Sequence, residues 1–382
     1  MINICVVTAN RAEYGILAPL IKKLEEDKII NLDLIVTGSH LDKKYGFTIN
    51  EIIKDKIMIK KRINIYPKKD KIPHIINSIS KSLEEFSRFF LKNKYDYLLV
   101  LGDRHELIAP CLCSFFNNIP IIHINGGDVT VGSLDNKIRN FLTSLSTLHF
   151  VTNNDSMKRV VKIMGNKKNV FNVGSLAVER IIKLSKISKK NLEDKLKIKF
   201  KKNNLLITFH PITNNINSTF KYLNEILRAL KDLKNTMIVF TYPNNDEGSQ
   251  EIINMLKNFI KNNQNSYLLK SFGFENYISF AKYVDCVIGN SSSGILEVPI
   301  LNTPTINIGN RQIGRIFPKS VISLNGNSKK IKFELLKILN KKRNIKYKNN
   351  PYYKINTVNC IISLIKDSYI KLNKENGKLS NL

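Results

Sequence analysis

The chain has 382 residues, 43% of them apolar, which at roughly 150 residues per domain predicts two or more domains with sizeable cores and excludes large-scale disorder. Its formal charge of +30 is spread along the sequence among many Asn and Ile residues, and the densest runs, 186–202 and 328–348, carry no interleaved aromatics, so a solvated surface is expected rather than a nucleic-acid partner. The N-terminus lacks the long apolar core of a signal peptide and no stretch reaches the roughly 18 apolar residues of a membrane helix, while the five cysteines, Cys5, Cys111, Cys113, Cys286 and Cys360, make neither a disulfide framework nor a metal-ligand spacing; a cytoplasmic protein with no membrane partner, no metal and no cofactor is expected.

In chain order, short β-rich apolar runs alternate with helical patterns. The first series reads as strand 2–8, helix 15–27, strand 32–37, helix 74–93, strand 96–101, helix 105–117, strand 120–124, helix 134–145 and strand 147–152. A second series starts after about residue 180: strand 204–209, helix 216–233, strand 236–241, helix 248–262, strand 266–270, helix 275–282, strand 284–288, helix 293–300 and strand 304–308. Alternation of this kind argues for parallel sheet built from right-handed βαβ units, hence an α/β chain of two doubly wound domains.

Such sheets bind ligands beyond the carboxyl ends of their strands, so the polar residues just after each strand carry the functional reading. Asn10-Arg11-Ala12-Glu13 follows the first strand, Gly102-Asp103-Arg104-His105-Glu106 the strand at 96–101, and Asn125-Gly126-Gly127-Asp128 the strand at 120–124, with Asp135 and Arg139 on the next helix. In the second series His210-Pro211 follows 204–209, Tyr242-Pro243-Asn244-Asn245-Asp246 follows 236–241, and Asn290-Ser291-Ser292-Ser293-Gly294 follows 284–288. The last reads as a phosphate cradle, in which hydroxyls and a glycine leave backbone N–H groups at a helix start where the macrodipole favours an anion. Glu297 stands a turn or two further on, placed to accept the hydroxyls of a ribose. Plainer readings stand beside these: a serine turn that only caps its helix, a charge-paired turn at Asp103-Arg104, and an i,i+4 ion pair between Asp135 and Arg139. Gly126-Gly127 allows close approach of backbone, and His123 and His149, on strands, read as core or hydrogen-bonded. Carboxylates, arginines and a histidine at strand ends in both domains jointly indicate an active site.

Assembled, these segments resemble the hydrolysing UDP-N-acetylglucosamine 2-epimerases, including the sialic-acid and legionaminic-acid pathway enzymes. The resemblance runs over nearly the whole chain, through Thr8 to Tyr14, Thr37-Gly38-Ser39-His40-Leu41, Gly102-Asp103-Arg104, His123 to Asp128, Phe209-His210-Pro211-Ile212-Thr213, Gly289 to Gly294 and Gly309 to Arg315. It implies two Rossmann-like domains facing across a cleft, a GT-B-like arrangement: an N-terminal domain over 1–178, a UDP-binding domain over 179–355, and a C-terminal helix over 356–373 that crosses back, within a segment 356–382. It also implies that Arg11, Ser291 and Ser292 hold the diphosphate, Glu297 the ribose, and Phe272 with its neighbours the uracil, while His210, Asn244, Arg104 and Arg311 line the sugar and phosphate region.

The implied reaction is elimination of UDP across C1 and C2 followed by hydration, which frees a 2-acetamido mannose-type sugar. Asp103 and Asp135 are expected as acid/base carboxylates, Asp128 as a third, and His210 as an aid to phosphate departure or proton handling. The substrate is expected to be UDP-N-acetylglucosamine, alternatively UDP-N,N'-diacetylbacillosamine, and the assembly a homodimer or homotetramer. Many relatives carry Glu where this chain has Asn125, and an amide cannot act as a base. A glycosyltransferase of the same architecture and an inactive UDP-sugar binder therefore remain as alternatives.

Overall fold

The structure, a computed structural model, describes residues 1–43, 46–65, 72–129, 134–212, 215–243, 248–270, 272–340 and 350–375. The chain divides into two units, the first comprising Met1–Asp128, Leu134–Arg180 and Lys354–Leu382, and the second chiefly Ile181–Tyr353.

The first unit holds β1 (Ile2–Thr8), β2 (Ile30–Thr37), β3 (Ile59–Ile63), β4 (Tyr97–Leu101), β5 (Ile121–Ile124), β6 (Leu148–Val151) and β7 (Val170–Asn172). Its helices are α1 (Arg11–Glu25), α2 (Ile49–Lys54), α3 (Ile72–Lys92), α4 (Ile108–Phe116), α5 (Leu134–Leu145), α6 (Asn154–Met164) and α7 (Leu176–Lys183), within which this unit ends at Arg180. The strands lie in the order β3-β2-β1-β4-β5-β6-β7, and every pair is parallel.

The period-two pattern of the strands sorts side chains onto the two faces. Ile2, Ile4 and Val6 of β1 and Tyr97, Leu99 and Leu101 of β4 join one core with Leu17, Leu20, Ile21 and Leu24 of α1. Cys5 and Val7, with Leu98 and Val100, join the other, with Phe86, Phe89 and Phe90 of α3. Both faces are covered, which is why these strands read as unbroken apolar runs.

The second unit holds α8 (Lys189–Leu196), β8 (Asn203–Thr208), α9 (Ile216–Leu230), β9 (Thr236–Thr241), α10 (Ser249–Lys261), β10 (Ser266–Leu269), α11 (Phe274–Tyr283), β11 (Cys286–Gly289), α12 (Ser293–Leu296), β12 (Thr305–Ile308), β13 (Val321–Leu324) and α13 (Ser328–Leu339). Its strand order is β10-β9-β8-β11-β12-β13, again parallel throughout. Leu205 and Ile207 face one core while Leu206 faces the other.

The last helix, α14 (Thr357–Glu375), belongs to the first unit although the second lies between them in sequence. Val358, Ile361, Ile362 and Ile365 enter the core beside α1. Polar contacts tie its start down, with Thr357 Oγ1 donating to the Val173 carbonyl at 2.9 Å and Glu179 accepting the Val358 N–H at 2.8 Å, and at mid-helix Lys366 pairs with Asp27 at 2.7 Å.

Three local departures from the sequence reading have physical causes. The first helix begins at Arg11, not 15, because Asn10 caps it. The region read as one helix over 105–117 is a 3-10 turn, His105–Leu107, followed by α4. The helix read over 293–300 is the single turn α12 followed by a 3-10 turn at Val298–Leu301, where Pro299 cannot extend an α-helix.

Candidate functional site

In each sheet the strand order turns back at one place, β1 beside β4 in the first unit and β8 beside β11 in the second. Loops leaving adjacent strands in opposite directions open a crevice at such a switch point. Arg11, Asp103 and Arg104 follow β1 and β4 at the first of these points, and His210, Ser291 and Ser292 follow β8 and β11 at the second.

In the first unit, β1 runs into Asn10, whose Oδ1 accepts the Glu13 N–H at 3.0 Å. Glu13 returns both carboxyl oxygens, accepting the Ala9 N–H at 2.8 Å and Asn10 Nδ2 at 2.7 Å, which with the Asn10 cap fixes the start of α1. Burial pushes the Glu13 carboxyl up to about 8; the Ala9 N–H opposes that, the like charge of Glu106 adds to it, Arg104 opposes it and Asp103 adds again. Arg11, the first residue of α1, makes an exposed ion pair with Glu51 at 2.7 Å.

Beyond β4, Glu106 is almost fully buried and takes Arg104 Nη2 at 3.3 Å and His105 Nδ1 at 3.2 Å. The Asp103 carboxylate receives Nη2 of Arg139, whose Nη1 donates to the Asp128 carbonyl. Arg139 is 5% exposed. Arg139 thus forms a junction that joins the ends of β4 and β5 through α5. Asp135 lies in the first turn of α5, one turn ahead of Arg139.

Asp128 itself is buried, and its Oδ1 accepts two hydroxyls, Thr152 at 2.8 Å and Ser156 at 2.7 Å. Gly127 has φ +74°, and a Cβ there would strike the Ser156 carbonyl, so the glycine is what lets the turn lie against α6. Asn125 adopts φ +63°, a conformation asparagine tolerates better than most residues. Its Oδ1 is buried with no hydrogen-bond partner among the described residues.

In the second unit, Asn290 at the end of β11 is fully buried and reaches β8's end: its Oδ1 accepts the His210 N–H at 2.7 Å and its Nδ2 donates to the His210 carbonyl at 2.8 Å. The Asn290 carbonyl accepts Gln312 Nε2 at 2.9 Å and Arg311 Nη1 at 3.2 Å. Burial, helped by the Arg311 charge, pushes His210 down to about 3, so its imidazole is neutral at physiological pH.

The serine cradle is smaller than the sequence suggested. Ser291, Ser292 and Ser293 are half-buried and the helix they open is four residues long, so the macrodipole contributes little and hydroxyls and local N–H groups must do the holding. Ser293 Oγ donates to Glu297 Oε2 at 2.6 Å, which orients the carboxylate proposed for ribose. Phe272 is a core residue: its ring packs against Tyr277 and Phe280 at centroid distances of 6.1 and 5.3 Å, and its carbonyl accepts Asn276 Nδ2 at 2.5 Å. Asn244 lies outside the described residues.

Sequence reasoning placed Glu13, Asn290 and Ser293 in strand-end segments without a partner for any of them, and did not name Thr152 or Ser156. The three-residue spacing of Asn10 and Glu13 was a readable capping signal, and Ser293 and Glu297 stand four apart, the spacing of helical neighbours. The partners of Asn290 and Asp128 come from other strands and helices and leave no local trace.

The doubly wound α/β class and the strand-end polar sets together define a ligand-binding α/β protein, and comparison with known proteins sharpens this. The family model described as UDP-N-acetylglucosamine 2-epimerase matches residues 22–366. The chain is 38% identical, over 90% of its length and 89% of the relative's, to a Campylobacter jejuni protein named GDP/UDP-N,N'-diacetylbacillosamine 2-epimerase (hydrolyzing). It is 37% identical, over 98% of its length and 96% of the relative's, to an Escherichia coli protein named polysialic acid biosynthesis protein P7. Among solved structures, the Neisseria meningitidis UDP-GlcNAc 2-epimerase bound to UDP-GlcNAc superposes with a TM-score of 0.79 at 18% identity, covering 96% of this chain and 100% of that one, which speaks for the fold. The chain belongs to the UDP-N-acetylglucosamine 2-epimerase family and is an enzyme of the hydrolysing UDP-sugar 2-epimerase type. Among the described residues no helix is long and apolar enough to cross a membrane.

Proposed function

We propose that this enzyme converts UDP-N-acetylglucosamine and water into UDP and free N-acetylmannosamine. The observation that carries the reading is the Asp103–Arg139–Asp128 junction at the sheet's switch point, a charged and largely buried arrangement with no evident need in a purely structural turn. In the first step a carboxylate, Asp103 or Asp135, takes the C2 proton. The C1–O bond breaks with its electron pair passing to UDP, leaving a glycal with a C1–C2 double bond. Water then adds hydroxyl to C1, and a proton reaches C2 from the opposite face, inverting that centre.

The division of labour follows from the chemistry. A C2 proton is weakly acidic, so base and sugar must be held in register and shielded from water, and departing diphosphate needs donors already in place. The second unit would hold the nucleotide through Ser291, Ser292, Arg311 and Glu297. His210, a neutral imidazole, would donate a hydrogen bond to a phosphate oxygen without adding charge. Asn125 stands where many relatives carry Glu, so its amide would bind substrate while Asp128, fixed by Thr152 and Ser156, is the remaining carboxylate of that turn.

A second reading takes the same reaction to UDP-N,N'-diacetylbacillosamine, giving 2,4-diacetamido-2,4,6-trideoxymannose; the name of the Campylobacter jejuni relative favours it. Incubating the protein with each UDP-sugar, without any acceptor, and measuring UDP and free sugar tests both. Release of both products from one substrate supports the reading and names the sugar. Tight UDP binding with no release, or release only when an acceptor sugar is added, contradicts it in favour of a binder or a transferase.

A further inference from the structure

His123, the third residue of β5, is fully buried, and both its ring nitrogens are committed. Nε2 lies 2.8 Å from the Gly102 carbonyl, and Nδ1 lies 3.1 Å from the Thr143 hydroxyl. A carbonyl can only accept, so Nε2 carries the proton; a neutral ring must then accept at Nδ1, and the Thr143 hydroxyl is the donor. Burial pushes the ring down to about 3, so the neutral form is the one present at working pH.

A buried histidine bonded on both sides is ordinarily no more than a satisfied core residue. Two features set this one apart. Gly102, directly before Asp103, is held by β5 at both of its backbone polar groups: its N–H donates to the Ile124 carbonyl at 3.0 Å, and its carbonyl, in the peptide shared with Asp103, accepts from His123. Gly102 itself adopts φ +90°, so the direction in which Asp103 leaves β4 depends on that grip rather than on the regular strand. The other partner, Thr143, stands four residues after Arg139 on α5, on the same face, and Arg139 holds the Asp103 carboxylate. One helix face therefore reaches Asp103 twice, once through its side chain and once through its backbone. Gly126 preserves the arrangement: a Cβ there would come within 3.1 Å of Thr143 Oγ1 and 3.2 Å of His123 Nδ1.

We infer that His123 and Thr143 are positioning residues for the acid–base chemistry, fixing the Gly102 peptide and with it the aim of the Asp103 carboxylate. The inference rests on the reaction proposed above. Neither residue touches substrate; they act through Asp103, and misdirecting a reacting group by an ångström is enough to slow the chemistry severely.

The test compares wild type with Thr143→Val, which keeps the shape and removes the donor, and Thr143→Ser, which restores it. Thr143→Val is expected to lower kcat about tenfold or more while KM stays within about twofold, and Thr143→Ser to recover most of the rate. In parallel, nitrogen-15 NMR of labelled histidine should show His123 as a neutral ring protonated at Nε2, with an Nδ1 shift that moves in Thr143→Val and returns in Thr143→Ser. An unchanged kcat in Thr143→Val, a loss shared equally with KM, no recovery in Thr143→Ser, or a proton on Nδ1 in wild type overturns the inference. The NMR arm and Thr143→Ser decide it should Thr143→Val not fold. Absence of turnover in wild type contradicts the proposed reaction itself, whereas normal wild-type turnover with an indifferent Thr143→Val contradicts only the positioning role.

Discussion

Asn290 holds the backbone of His210 from both sides, accepting its N–H at 2.7 Å and donating to its carbonyl at 2.8 Å. A side chain thus takes the part a neighbouring strand would have played, just past the point where β8 and β11 cease to pair. The same residue's backbone carbonyl is the acceptor for Arg311 and Gln312, so one buried residue ties together the loops after β8, β11 and β12. Removing its side-chain amide leaves the buried His210 N–H and carbonyl unpaired, at about 1–3 kcal/mol each. Asn290→Ala should lower the urea midpoint markedly, and Asn290→Asp should lower it as well because a carboxylate cannot donate to the His210 carbonyl. Both should also raise the apparent Michaelis constant for the UDP-sugar. Urea titration alongside steady-state kinetics checks this, and a midpoint equal to wild type in both variants would remove the latch from the account.

Asp103→Asn keeps a hydrogen-bond acceptor for Arg139 but cannot take a proton. It should lower kcat by at least about a hundredfold while UDP binds with wild-type affinity, as read by calorimetry and initial rates. Lost UDP affinity with retained turnover would make Asp103 a ligand-holding residue instead.

Ser293 touches the candidate ribose carboxylate, not the reacting carbons. Ser293→Ala frees Glu297 to rotate, so the Michaelis constant should rise several-fold, roughly the effect of one hydrogen bond, while kcat changes little. A variant with wild-type KM and reduced kcat would place Ser293 elsewhere in the mechanism.

Four buried histidines are held neutral: burial pushes His40 and His149 down to about 4, and burial likewise takes His123 and His210 down to about 3, from an ordinary 6.5. Below pH 6.5 the unfolded chain takes up protons that the folded one refuses, so stability falls as pH drops from 6.5 toward 4, by up to about 1.4 kcal/mol per pH unit for each ring. Glu13 works in the other direction. Its folded value of about 8 against 4.5 means that its contribution is complete below 4.5 and is lost as pH rises to 8. Between pH 7 and 8 the four histidines together still gain roughly 0.6 kcal/mol while Glu13 loses about 1 kcal/mol, so the wild type should lose a little stability there and Glu13→Gln should remove that decline. Urea unfolding at pH 5, 6, 7 and 8 reads both limbs; a wild-type profile rising from pH 7 to 8 would contradict the assignment to Glu13.

Much of this fold was legible because its strands are apolar on both faces and its helices have one apolar stripe, so the two periods separate cleanly in β1, β4, β8 and β11. β3, Ile59–Ile63, was not, since an edge strand reading Ile-Lys-Lys-Arg-Ile with exposed charged positions has the pattern of a loop. The strand-end residues were legible for a topological reason: ligand sites in doubly wound sheets lie at the carboxyl ends of strands, so Asp103, Asp128 and His210 could be picked before their partners were known. The partners could not. Arg139 meets Asp103 from 36 residues away and Asn290 meets His210 from 80, distances over which sequence carries no geometry.

The most direct measurement is proton NMR of the purified protein in heavy water with UDP-N-acetylglucosamine and, separately, UDP-N,N'-diacetylbacillosamine, following UDP release and the isotope at C2 of the freed sugar. The account predicts UDP release from one of them together with deuterium at C2 of a mannose-type product, because the C2 proton is lost to a carboxylate and replaced from solvent. A free sugar that retains its original C2 hydrogen would contradict it, since UDP would then have left by direct hydrolysis and the carboxylates at the end of the first sheet would have no proton to move.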